Sequence, residues 1–139
     1  MSIIVTDQGF APDDYTGEVL ALADLPQEGS DLAVELAPSD DPGLLSNRLA
    51  TLAFIKVRFP SFADGRGFTI AARLRRMGFK GRLRAVGHVI ADQYAMARRS
   101  GFDEVEISDE LAQRQPEPQW LRRADWQAHD YHARVMRRA

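Results

Sequence analysis

A chain of 139 residues that is 45% hydrophobic and 27% charged has the size and composition of one globular domain with its own core. Its 18 basic and 20 acidic residues leave a formal charge of −2, so no overall field draws it to nucleic acid or a membrane surface. The absence of cysteine excludes disulfides, thiolate catalysis, zinc–thiolate sites and cysteine-ligated iron–sulfur clusters.

In chain order, Ser2 to Thr6 is a short β-branched strand, and Asp7 to Asp14 reads as turn and loop. The start has neither the basic residues nor the long apolar run of a signal peptide, and no segment approaches the ~20 apolar residues of a membrane span. A bacterial-type cytoplasmic protein is expected. Glu18 to Ala23 is apolar but too short to assign, and Leu25 to Ser30 breaks the chain. Leu32 to Leu36 is a buried strand. Pro42 suits the first turn of a helix running to about Ala50, with Asp41 as its cap.

The next units are sharper. Phe54 to Phe59 alternates apolar residues with Lys56 and Arg58, which predicts a strand that Pro60 ends. After Asp64-Gly65-Arg66-Gly67, the stripe Phe68, Ile70, Ala71, Leu74 and Met77 predicts a helix stopped by Gly78. Leu83 to Val86 is a strand, about Ile90 to Arg99 a helix ending at Gly101, and Glu104 to Ile107 a strand. Leu111 to Pro118 is polar and reads as a linker. Gln119 to Arg138 then reads as a C-terminal amphipathic helix, with Leu121, Ala124, Ala128, Tyr131 and Val135 at helical spacing. Trp120 and Trp126 cannot share one narrow stripe, so this helix is the expected interaction element.

The period of strand, loop, helix and glycine-containing return predicts an α/β fold in one domain with a core at about residues 30–108. Its repeated βα units form a small parallel sheet, either open and doubly wound or a partial barrel. In such sheets binding groups collect where strands hand over to helices, and two loops occupy that position. In the first, Gly65 and Gly67 allow close backbone approach, Arg66 offers a forked donor to an oxyanion, and Asp64 either holds that arginine or caps the helix. In the second, Gly87 precedes His88, a residue type suited to acid–base work, and Asp92, beside Gln93, lies where it can orient the imidazole. Each has a plainer reading, a helix-entry turn with solvated side chains. Arg84 is either internal to the site or held in an ion pair, with Asp103 or Asp64 as partner.

Other groupings are weaker. His129 and His132, with Asp125 and Asp130 nearby, have a spacing that can ligate a metal but supply only two imidazoles. The basic residues Arg73, Arg75, Arg76, Lys80, Arg82 and Arg84 belong to no nucleic-acid-binding module. No complete dinucleotide fingerprint or P-loop is present, so no cofactor is assigned.

Taken in order, Phe62-x-Asp64-Gly65-Arg66-Gly67, Gly78-Phe79-x-Gly81-x-Leu83-Arg84-Ala85-Val86-Gly87, Asp92-Gln93 and Gly101-Phe102-Asp103 resemble the bacterial domain of unknown function 934 family over about residues 30–108. Its members are commonly named as oxidoreductases, and their genes lie beside those for assimilatory sulfite reduction. The resemblance implies an accessory role in sulfate or sulfite assimilation, with sulfite reductase or its electron donor as partner. The alternative is a small enzyme that binds an oxyanion or a flavin phosphate at the carboxyl edge of the sheet. A homodimer through the tail or an edge strand is also expected.

Overall fold

A computed structural model of the protein describes residues 2–127. Alternation along the strands decides how it is layered. In β5 (Leu52–Phe59), Ile55, Val57 and Phe59 point to one face while Phe54, Lys56 and Arg58 point to the other, as a side-chain period of two requires. β6 (Arg82–Gly87) runs parallel to it with Ile55 beside Leu83 and Lys56 beside Arg84. On one side β4 (Leu32–Leu36) and the two-residue β3 (Leu20–Ala21) continue the parallel set. On the other side β7 (Glu104–Ser108) follows β6 in parallel. β1 (Ser2–Thr6) and β2 (Gly9–Pro12) then close that edge as an antiparallel hairpin.

The seven-stranded order is β2-β1-β7-β6-β5-β4-β3. The sheet is open, and its five parallel strands stand side by side in chain order. It therefore lacks the reversal of strand order that creates a switch point in a doubly wound sheet. Among the described residues four helices accompany it: α1 (Arg66–Arg76), α2 (Tyr94–Ser100), α3 (Asp109–Arg114) and α4 (Glu117–Leu121). Ile70, Ala71 and Leu74 of α1, Tyr94 and Ala97 of α2 and Trp120 of α4 share one buried cluster with Val34, Ile55, Val57, Leu83, Ala85 and Val105. The strand register puts those strand residues on a single face, so these helices cover that face.

The opposite face is polar. Register lines up Glu35, Lys56, Arg84 and Glu104 in one row across β4 to β7. Because β2 and β3 lie at opposite edges, the connecting chain must cross the sheet, and it does so over this face. Asp13 pairs with Arg84 at 3.1 Å, Asp14 with Arg82 at 2.6 Å, and the Tyr15 ring tilts onto Phe54 at 4.3 Å between centroids.

Several boundaries differ from expectation. β2 occupies a stretch whose turn-rich composition predicted a loop, because pairing with β1 outweighs its weak local preference. The segment 42–51 is two 3-10 turns, Pro42–Leu45 and Leu49–Thr51, since Gly43, Ser46 and Asn47 favour helix poorly. Asp41 does cap the first, accepting from the Gly43 amide at 2.8 Å. The expected linker after Leu111 instead contains most of α3 and the start of α4. The predicted tail helix is represented by α4 and turns to residue 127, and its remaining positions lie outside the described residues. No described helix is long and apolar enough to cross a membrane.

Candidate functional site at the carboxyl edge of the sheet

Parallel strands deliver the loops after β5, β6 and β7 to one edge. Two glycines there have structural duties. Gly87 has φ +118°, and an added Cβ would lie 2.5 Å from the Phe59 carbonyl oxygen, which accepts the His88 amide at 2.9 Å. Any side chain would break this crossing of β5 and β6. Gly67 lets the first turn of α1 rest on the Phe59 ring.

The Asp64–Arg66 pair is closed on itself. The Asp64 carboxylate accepts from the Arg66 amide (3.1 Å), Nε (3.0 Å) and Nη2 (2.7 Å). Hydrogen bonds from Arg66 hold Asp64 below the usual carboxylate range, and the same carboxylate raises Arg66. Arg66 lines a cleft of about 430 Å³ with Ser39, Asp40, Asp41, Thr69 and Arg73, and Arg73 is itself paired with Asp41 at 3.0 Å. With Asp40 and Asp41 in its lining and both arginines already paired with carboxylates, this cleft offers an anion little net attraction.

His88 opens elsewhere. It lines a crevice of about 390 Å³ with Phe62, Ile90, Leu111, Arg114 and Gln115, so the structure separates His88 from Arg66. Asp92 does not orient the imidazole, because its carboxylate pairs with Arg123. Gln93 acts as a brace: its Oε1 accepts the Ile90 amide at 3.0 Å while its Nε2 donates to the Phe62 carbonyl at 2.8 Å. That ties the loop after β5 to the loop after β6. Gly65 precedes α1 without a side-chain cap of its own.

Arg84 takes the structural alternative. Its side chain is fully buried and ion-paired with Glu104, Glu106 and Asp13, and its guanidinium lies 4.8 Å from the centre of the Phe54 ring. The expected partners Asp64 and Asp103 are engaged elsewhere, Asp103 with Arg75 at 3.0 Å and the Leu83 amide at 2.9 Å. The basic run is mostly internal as well: Arg73, Arg75, Arg82 and Arg84 all pair with carboxylates of the same molecule.

Both tryptophans make contacts within the chain. Trp120 is buried, meets Tyr94 edge to face at 6.1 Å and donates to the Gln115 carbonyl at 2.8 Å. Trp126 donates to Asp7 at 3.3 Å beneath the Arg98 guanidinium. Asp7 also accepts from the Tyr94 hydroxyl at 2.5 Å. Burial alone would raise Asp7, but the hydrogen bonds from Tyr94, Arg98 and Trp126 outweigh it and leave the carboxyl below its usual value. Among the described residues no group of three or more histidine, aspartate or glutamate side chains can hold a metal ion; His129, Asp130 and His132 lie outside them.

Sequence reasoning missed Arg114 and Gln115 because they sit in the supposed linker. The signal was present: Ser108 accepts the Leu111 amide at 3.1 Å, with Asp109 and Glu110 in the first turn, a helix-start pattern. Reading it would have added a third βα unit at the same edge. Residues 33–138 match the family described as "Bacterial protein of unknown function (DUF934)", so the match runs through the tail that the resemblance had left out. No curated protein and no solved structure matches the chain.

Proposed function

On the premise that the chain belongs to the bacterial domain of unknown function 934 family, we propose that it is an accessory protein of sulfate or sulfite assimilation. It acts beside sulfite reductase or its electron donor and carries no redox centre of its own. The pathway comes from the family resemblance. The observation that carries the non-catalytic reading is the separation of Asp64, Arg66, Arg84 and Asp92 from His88, the residues the sequence expected to act together. Asp92 is paired with Arg123 and Asp64 with Arg66, while Arg84 is locked among carboxylates on the far face. The carboxylate expected to orient His88 as a base is instead paired with Arg123, so His88 and Asp92 do not form a catalytic pair. A reduction also needs an electron carrier, and the sequence has neither a thiol nor a complete dinucleotide fingerprint to engage one.

The test is affinity capture of the tagged protein from cells growing on sulfate, together with complementation of a deletion strain. Recovery of a sulfite reductase component is expected, with growth restored equally by the native chain and by Arg66→Ala. Capture that lacks every component of the reductase system, or a purified protein that carries a redox chromophore, would overturn the proposal.

A further inference from the structure

Most arginines in the described structure are engaged. Arg58, Arg66, Arg73, Arg75, Arg82, Arg84, Arg98 and Arg123 pair with carboxylates, and Arg48 and Arg99 donate to backbone carbonyls. Arg114 has no such partner among the described residues, yet it lines the His88 crevice. The His88 imidazole has no side-chain partner there either. Gln115 faces the same space with its Oε1 accepting the Ala91 amide at 2.7 Å, which leaves its Nε2 as a donor. Three unengaged donor groups therefore line one hollow. A competing charge, Glu110, lines an adjoining recess of about 150 Å³ with His88 and Arg114.

The other walls are apolar. Ile90 and Leu111 line the crevice, and Phe62 stands at it with 60% of its surface exposed. Gln93 pins the Phe62 carbonyl, so this aromatic group is displayed from a fixed backbone. The crevice, at about 390 Å³, falls within the size range of small-molecule sites, whose usual makeup is apolar walls with a few convergent polar groups.

We infer that this crevice binds a small organic anion, a phosphate- or sulfonate-bearing molecule with a flat apolar body. Arg114 takes the head group through its forked donors, His88 and Gln115 complete the contacts, and the body lies against Phe62 and Leu111. The oxyanion site that the sequence placed on Arg66 moves to Arg114, where no carboxylate is paired with the cation. The inference is independent of the pathway reading, since it concerns a small molecule rather than a protein partner, and either can fail alone.

Phenyl phosphate is the probe, followed by NMR of the full chain through the imidazole signals of His88, one of three histidines. A saturable shift is expected. Arg114→Gln should weaken binding about tenfold or more, as the loss of one charge-assisted contact predicts, and Phe62→Ala should weaken it several-fold. Arg76→Gln, a surface cation on α1, is the control and should leave binding unchanged. Arg114 and Phe62 are exposed, so each variant should keep its thermal midpoint, which separates lost binding from lost fold. Absence of a saturable His88 shift, equal losses in Arg114→Gln and Arg76→Gln, or inorganic phosphate binding as tightly as phenyl phosphate would each overturn the inference.

Discussion

Arg84 shows how much one side chain can carry. A guanidinium removed from water must recover its solvation from carboxylates, and Arg84 does so at Nε and Nη1 from Glu104, Glu106 and Asp13, while Nη2 has only Asp14 at 3.8 Å. Arg84→Met keeps the volume but leaves those carboxylates short of a cation, and a loss of about 3–5 kcal/mol is expected. Arg58, 53% exposed beside Glu35, is the contrast, and Arg58→Ala should cost under about 1 kcal/mol. Urea unfolding of both variants checks this; comparable losses would mean that burial does not decide the outcome. The same network sets the acid limit. Burial tends to raise Glu106, but hydrogen bonds from Lys56 and Arg84 hold it below its ordinary 4.5, and Asp13 likewise lies below 3.8, with the Tyr15 amide and Arg84 outweighing burial. A carboxyl lowered in the folded state stabilises fully above its unfolded value, and that stability is lost as pH falls through the folded value. Stability should thus decline from about pH 4.5 downward, and less steeply in Glu106→Gln. Equal slopes in the two proteins would remove Glu106 from the account.

At the scale of elements, the turn out of β6 is the sharpest joint. Gly87→Ala must strain a positive φ and press a Cβ on the Phe59 carbonyl, for a cost of about 1–3 kcal/mol or more. Gly65, at φ −89° with its nearest neighbour at 3.9 Å, should accept alanine within about 0.5 kcal/mol. Thermal melts of the two variants compare them directly, and a Gly65→Ala loss as large as that of Gly87→Ala would contradict the geometry. The two glycines look alike in sequence. Much else was legible: β4 to β7, α1 and α2 show clear periods of two or 3.6 with glycine stops, and Asp64 with Arg66 is a local pair. β2 and β3 were not, because strands of four and two residues are too short to display a period and are fixed by distant partners. The spacing of His88 and Asp92 suggested cooperation, but no local pattern announces Arg123, 31 residues after Asp92. Arg114 joined the site only because α3 follows β7 at the same edge as His88.

At the scale of the whole molecule, the N-terminal hairpin is tied to α2, α4 and Trp126. Helices cover one face of the sheet and the Asp13–Tyr15 crossing guards the other, so the hairpin β1–β2 needs its own anchor. It has two: Asp7 takes Tyr94, Arg98 and Trp126, and the Glu117 carboxylate accepts the Phe10 amide at 2.7 Å. Trp120 lies between these anchors in sequence and is 1% exposed. Trp120→Ala should therefore act globally, at about 3–5 kcal/mol, and speed amide exchange throughout the sheet. Glu117→Ala removes one hydrogen bond at the hairpin, so it should speed exchange at Phe10 while leaving β5 and β6 protected, as local opening differs from global unfolding. Glu117→Gln retains a carbonyl acceptor and should restore much of that protection. If Trp120→Ala instead loosened only the hairpin, with β5 and β6 still protected, the tail would be an attachment to the core rather than part of it.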